Sequence, residues 1–372
     1  MSPKVVVAMS GGVDSSVAAA LLQQEGYEVI GMMMRLWSEP GREAQNRCCT
    51  PESMGIARKV AGQLGIPFYA VNAQESFRNT VVEYFLDGYK SGVTPNPCLA
   101  CNRHIRWEFL LERALALGAD YMATGHYARV EHPEGMAVRL FEAADKQKDQ
   151  SYVLSVLGQH QLKHALFPLG DYTKPEVRQI ASDLSLPAAQ SKESQDLCFL
   201  AGEDYRQFLG RHAPELALPG PIINTAGDHL GEHEGLANYT IGQRKGLGVS
   251  SPMPLYVLRK DQASNSLVIG GKEELGDREF VINQLDWIRG SSPQKNFDAE
   301  VKIRYKATKA NSRISLLPDG RTQVRFEDPQ RGVTPGQAAV IYAGEEVLGS
   351  GLISDTRPIQ LEEIRSLDQA LA

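Results

Sequence analysis

The first two hundred residues alternate between two apolar patterns. Short runs in which nearly every position is apolar, Lys4–Met9, Glu28–Met34, Phe68–Asn72 and Tyr121–Gly125, predict β-strands. Between them lie stretches with helical spacing: Asp14–Gln24, Glu52–Leu64 and Arg103–Leu117, the second leading through Gly65-Ile66-Pro67 into the next strand. Thr173-Lys174-Pro175-Glu176 adds a helix start with the spacing of a capping box, and that helix is expected to run to about Leu184, before Pro187. Strands and helices in this rhythm predict βαβ units, hence an α/β fold with a parallel sheet covered by helices. Ligands of such sheets gather at the C-terminal strand ends.

After Cys198 the texture changes. Gly and Pro become dense, as in LPGPIINTAGDHLGEHEG (218–235). Short β-rich runs follow at Phe280–Trp287, Ala299–Tyr305, Arg313–Leu317, Gln323–Phe326, Gln337–Tyr342 and Val347–Ile353. They predict a small sheet or barrel. Three regions are expected, residues 1–205, 206–275 and 276–360, which suits a chain of 372 residues.

Composition narrows the class. With 42% hydrophobic and 23% charged residues the chain is an ordinary globular one. No apolar run approaches the roughly 20 residues of a membrane helix, and no signal pattern precedes the first strand. A cytoplasmic protein with no membrane partner is expected. The net charge of −6 argues against a uniformly basic surface. Residues 301–331, however, hold Lys302, Arg304, Lys306, Lys309, Arg313, Arg321, Arg325 and Arg331 against Asp319, Glu327 and Asp328. Such a run is either a local polyanion surface or the solvated face of a sheet. Five cysteines do not read as a disulfide framework and favour thiol or metal chemistry. The adjacent pair Cys48-Cys49 reads as structural.

SGGVDSS (10–16) sits between the first strand and the first helix. Glycines allow a sharp turn and close approach to a ligand. The free amides and positive dipole end of the helix attract phosphate. The pattern is neither G-x-x-x-x-G-K-[ST] nor G-x-G-x-x-G, so kinase-type and dinucleotide sites are unsupported. It resembles the pyrophosphatase loop (PP-loop) of ATP-dependent adenylyl transferases. Cys98 and Cys101, in GVTPNPCLACN, and Cys198, in SKESQDLCFL, are the candidate reactive thiols. A persulfide on one is released by thiolate attack from another.

Further motifs are ATGHYAR (123–129), KDQSYVL (148–154), FPLGDYTKPEVR (167–178), YTIGQRKGLG (239–248) and RGVTPGQAAVIY (331–342). With SGGVDSS, TPNPCLACN and KESQDLCF, they make the chain resemble the bacterial tRNA-specific 2-thiouridylases over nearly its whole length. These enzymes place sulfur on C2 of the wobble uridine, position 34. The resemblance implies a PP-loop (adenine nucleotide alpha hydrolase-like) domain, a small central domain and a C-terminal β-barrel. It implies ATP and Mg²⁺ as cofactors, held by Ala8, Met9, Ser10, Gly11, Gly12, Val13, Asp14 and Ser15, with Met34 and Gly125 against the adenosine. Asn96, Pro97 and Cys98 would meet the target base. His126, Lys148, Asp149, Gln150, Arg304, Tyr305 and Gln337 would contact the tRNA, whose anticodon stem-loop is the expected partner. Cys198 would carry the persulfide, with Cys101 as its partner thiol. Sulfur would come from a desulfurase through carrier proteins.

One position departs from the family pattern: Cys98 stands where an aspartate is usual. A thiol titrates near 8.5 and a carboxylate near 4, so one cannot simply replace the other. Two chemistries are therefore expected to compete. Either Cys198 and Cys101 work as a persulfide pair, or Cys98, Cys101 and Cys198 ligate a [4Fe-4S] cluster that carries sulfide. Zinc on the same thiols lacks an evident fourth ligand. A PP-loop synthetase or amidotransferase acting on a small metabolite, and a non-enzymatic RNA- or ATP-binding protein, remain the other classes.

Overall fold

The computed structural model describes residues 2–42, 50–191 and 197–355; the Cys48-Cys49 pair and part of KESQDLCF lie outside them. The N-terminal part runs through β1 (Lys4–Ala8), β2 (Glu28–Arg35), β3 (Phe68–Asn72), β4 (Tyr121–Thr124), a hairpin of β5 (Ala128–Glu131) and β6 (Arg139–Glu142), and β7 (Ala165–Leu166). Five of these strands form a wholly parallel sheet in the order β3-β2-β1-β4-β7. Val5, Val6 and Val7 of the central β1 are fully buried, as a strand covered on both faces requires.

The helix Val13–Gln24 buries its small residues Val17, Ala18, Ala19 and Ala20. Helix Pro51–Leu64 starts where Thr50 Oγ1 accepts the Ser53 amide at 3.1 Å and stops at Gly65 in the left-handed conformation. Residues 97–116 form one helix whose middle, Cys101–Leu110, is wound as a π-helix. Within it Asn102 Nδ2 donates to the Cys98 carbonyl at 3.0 Å. The Thr173/Glu176 capping box and the helix Lys174–Asp183 form as the sequence predicts.

The central part carries β8 (Gly220–Ile223), β9 (His229–His233), β10 (Tyr256–Asp261) and β11 (Ser266–Gly270), in the order β10-β11-β8-β9. The last part has β12 (Asp277–Trp287), β13 (Asn296–Lys302), β14 (Ala310–Leu316), β15 (Thr322–Gln330), β16 (Ala338–Ala343) and β17 (Glu346–Asp355). They follow the order β12-β15-β14-β13-β16-β17, and the β12–β17 pairing closes the barrel. β13 ends at Lys302, so Arg304 and Tyr305 lie on the loop after it rather than in a strand.

The sequence pattern does not predict the hairpin β5–β6. It extends the barrel sheet through β6–β17 pairing, Phe141 opposite Glu346 and Leu140 opposite Val347. One hydrophobic core follows from this, joining Val6, Met32 and Trp107 to Leu140, Val340, Tyr342 and Val347. The parallel sheet and the barrel are thus packed into each other.

Candidate active site

The phosphate-type loop lies beyond the C-terminal end of β1. Ser10 N–H donates to Ser15 Oγ at 3.1 Å, and Ser15 Oγ and Ser16 Oγ lie 3.2 and 2.8 Å from the Gly12 carbonyl, to which they donate. Gly11 has φ +78°, and a Cβ there would sit 2.3 Å from the Ser53 carbonyl oxygen. No other residue fits. A Cβ on Gly125 would lie 2.7 Å from the Ser15 nitrogen, so the end of β4 is pressed against the helix start. Gly12 occupies the N-cap without a capping side chain, leaving the first amides to a ligand. Ala8 and Met34 pack beside this loop against the shared core, and Met9 and Val13 are buried beneath it.

Asp14 is held from the side. Lys174 Nζ donates to its two carboxylate oxygens at 2.6 and 2.8 Å, and Tyr127 OH donates to Oδ1 at 2.8 Å. Lys174 is only 7% exposed. In this arrangement the carboxylate is spent on loop geometry, and the neighbouring ammonium offsets its charge where phosphate would bind. Sequence reading passed over Lys174 and Tyr127. The signal was available, because both lie within quoted motifs, TKPEVR and ATGHYAR.

The thiol-bearing segment begins at Asn96, whose Oδ1 caps the Cys98 amide at 3.2 Å. Pro97 is buried at the first helical position, and Cys98 is exposed. Cys101 and Cys198 pack against the same apolar cluster, which also receives Met34 from the end of β2. All three cysteines are thiols. Among the described residues no three His, Cys, Asp or Glu side chains converge as a metal-ligand set.

Several expected tRNA contacts turn inward. His126 is 7% exposed, with Nδ1 2.7 Å from Thr124 Oγ1 and Nε2 3.4 Å from Arg106 Nη1. Burial, then the Arg106 charge, holds its pKa well below the ordinary value, so the ring stays neutral. Asp149, 5% exposed, accepts the Ala143 and Ser151 amides at 3.1 and 3.2 Å and Ser151 Oγ at 2.9 Å. Burial raises its pKa against these hydrogen bonds. Gln150 clasps Tyr127 through Tyr127 N–H to Oε1 at 3.0 Å and Gln150 N–H to the Tyr127 carbonyl at 2.8 Å. The KDQ turn is thus built into the scaffold behind Asp14, and Lys148 N–H closes it onto the Asp145 carbonyl at 3.1 Å.

On the barrel side, Tyr305 is 37% exposed and lies near Tyr152, ring centroids 6.2 Å apart. Burial, then the Asp149 and Cys98 charges, raises its pKa, which places Cys98 in its neighbourhood. Arg304 Nη2 donates to the Ile241 carbonyl at 2.9 Å and to Thr334 Oγ1 at 2.8 Å, tying the central part to the barrel. Gln337 Nε2 donates to the Thr94 carbonyl at 2.8 Å.

Most of the basic run is also engaged. Lys302 faces Asp149, Lys309 faces Glu142 and Glu300, and Arg313, Arg321 and Arg325 face Asp298, Asp319 and Glu279. Of the eight, Lys306 and Arg331 make no such contact among the described residues. Five of the eight thus stand in ion pairs, Lys302, Arg313 and Arg325 on strands and Lys309 and Arg321 on the connections between them.

Three family models match in succession: a tRNA methyl transferase HUP domain over residues 3–202, a tRNA methyl transferase PRC-barrel domain over 206–271 and an aminomethyltransferase beta-barrel domain over 277–353. The tRNA-specific 2-thiouridylase MnmA of Chloroflexus aggregans is 48% identical over 351 residues, covering 94% of this chain and 98% of that protein. Its counterparts in Roseiflexus castenholzii and Magnetococcus marinus are each 46% identical over 94% of this chain, and 99% and 98% of their own lengths are covered. An uncapped glycine turn at the end of a parallel strand, a thiol segment over the same sheet, a barrel packed into it and near-complete coverage of these relatives agree: the chain belongs to the tRNA-specific 2-thiouridylase family.

Proposed function

We propose that this protein is an ATP-dependent tRNA-uridine 2-sulfurtransferase acting on the wobble uridine. The observation that carries the mechanism is the placement of Cys101 and Cys198 on one apolar cluster, together with Met34 from the strand end beside the glycine loop. Thiol and nucleotide chemistry then share one end of one sheet.

Ala8 to Ser15 bind the triphosphate through loop amides and the helix N-terminus, with Met34 and Gly125 against the adenosine. Mg²⁺ accompanies the nucleotide as counter-ion to its phosphates. Uridine O2 attacks the α-phosphorus, pyrophosphate leaves, and O2 becomes part of a good leaving group. The outer sulfur of a Cys198 persulfide attacks C2, and AMP departs with the former O2. The Cys101 thiolate attacks the inner sulfur, breaking the sulfur–sulfur bond and leaving a Cys101–Cys198 disulfide, which an external dithiol reduces. Asn96, Pro97 and exposed Cys98 receive the target base, which an anticodon loop presents already unpaired. Tyr305 and Lys148 offer a ring and a charge to the RNA, while His126, Asp149 and Gln150 hold the scaffold behind the loop. Sulfur reaches Cys198 from carrier proteins fed by a desulfurase.

The test uses the full-length protein, an unmodified tRNA transcript, ATP and a persulfide donor, with 2-thiouridine and pyrophosphate both measured. Cys198→Ser is expected to abolish thiouridine while leaving tRNA-dependent pyrophosphate release within about threefold of wild type, because it removes the sulfur carrier and none of the nucleotide contacts. Loss of both activities together would overturn this division of labour. Turnover without RNA would favour a small-metabolite synthetase instead.

A further inference from the structure

The loop that leads into Asn96, Pro97 and Cys98 is fastened to the barrel. Thr94 N–H donates to the Pro335 carbonyl at 2.9 Å. Gln337 Nε2 donates to the Thr94 carbonyl at 2.8 Å and reaches the Pro95 carbonyl at 3.4 Å. The barrel turn is itself fixed: Gly336 N–H donates to the Ile353 carbonyl and Ile353 N–H to the Gln337 carbonyl, both at 2.9 Å. A Cβ at Gly336 would stand 2.8 Å from Val93 Cβ, so turn and loop are in van der Waals contact. On the far side of the same turn, Arg304 bonds Thr334 and the central part's Ile241.

We infer that Gln337 is a positioning residue for sulfur transfer, acting through the Thr94–Pro95 carbonyls on the Asn96–Cys98 segment, and not primarily an RNA contact. Thr94 and Pro95 precede the helix that starts at Pro97, so their carbonyls lie outside its hydrogen-bond ladder. A primary amide supplies two N–H groups of fixed geometry and suits such a pair of acceptors. Two residues later Asn96 caps the Cys98 amide, so the clasp is passed directly to the residues proposed to receive the base. A displacement of about 1 Å in a positioned group costs up to roughly 100-fold in rate. The barrel turn 332–337 is therefore a wall of the catalytic site, although it bears no reacting group.

This inference rests on the thiolation reading, and its test separates the two. Gln337→Ala and Gln337→Glu are assayed as full-length proteins for thiolation kcat, tRNA Kd by filter binding, and the rate of Cys98 alkylation by iodoacetamide followed by mass spectrometry. Both variants lose the donor, so both are expected to lower kcat by about 10- to 100-fold, keep tRNA Kd within twofold, and speed Cys98 alkylation severalfold. Gly336→Ala, which drives a methyl group against Val93, is expected to give the same split. A rise in tRNA Kd that accounts for the lost activity would overturn the inference and make Gln337 an RNA contact. Unchanged Cys98 alkylation in all three variants would also overturn it. Absence of thiolation in the wild type would sink the functional reading alone, since the alkylation rates still report whether the clasp holds the loop.

Discussion

At the scale of single residues, charge placement around the glycine loop is expected to set nucleotide affinity. Asp14 carries its carboxylate beside the loop proposed to hold phosphate, and Lys174 and Tyr127 neutralise and orient it. Lys174→Met is expected to weaken ATP binding at least about tenfold, a change of about 1.4 kcal/mol, by leaving that negative charge uncompensated. Calorimetric titration with ATP checks this, and the double variant Lys174→Met/Asp14→Asn should recover part of the loss. The motifs single out candidate residues in the sequence, but the direction of their side chains is not legible there. A motif records residue types, and the inward turn of His126 and Asp149 depends on Arg106, Ala143 and Lys302, which come from other segments. Lys174 escaped notice because a helix-start pattern accounted for TKPE without needing chemistry.

Among elements, legibility followed burial and span. The strands β1, β2 and β4 were readable because a parallel sheet covered on both faces writes continuous apolar runs, and the edge strand β3, though largely exposed, from its short run of β-forming residues FYAV. β5 and β6 were not, since ARVE and RLFE mix charge into four residues and their partner strand is distant in sequence. The helix Lys174–Asp183 shows how an element delivers a side chain. Thr173 N–H and Oγ1 both donate to Glu176 Oε2 at 2.7 Å, and Lys174 is the first residue inside. Thr173→Ala is expected to cost about 1 kcal/mol locally, which hydrogen exchange should register as roughly fivefold faster exchange of the 174–178 amides. ATP affinity should fall in step, because fraying moves the ammonium away from Asp14. Gly11→Ala acts more severely: its Cβ meets backbone rather than a movable side chain, so loss of ATP binding without loss of the barrel fold is expected, checked by titration and circular dichroism.

In the whole molecule, the three parts meet around a cleft of about 560 Å³ lined by Thr94, Lys260, Asp277 and Pro335, among others. Burial raises the Asp277 carboxyl to about 6 and lowers the Lys260 ammonium to about 8. Because the folded pKa of Asp277 exceeds its unfolded value, ionising it opposes folding. That cost is absent below about pH 4, grows between pH 4 and 6, and is full above. Asp277→Asn is therefore expected to match the wild type in thermal stability at acid pH and to exceed it at pH 7.5. Melting curves at pH 4 and 7.5 check the sign.

The shared core has a temporal consequence. The hairpin β5–β6 leaves the ribosome about 200 residues before β17 exists to pair with it. At roughly 5–20 residues per second, that is a wait of some 10 to 40 seconds. Through that interval the growing chain carries an open strand edge, and Leu140 and Val138 lack the barrel side chains that later cover them. The pairing that joins the hairpin to the barrel thus imposes a vulnerable period on synthesis. Ribosome-stalled chains ending before β16 should be cleaved by added protease within residues 128–142, and full-length chains should resist.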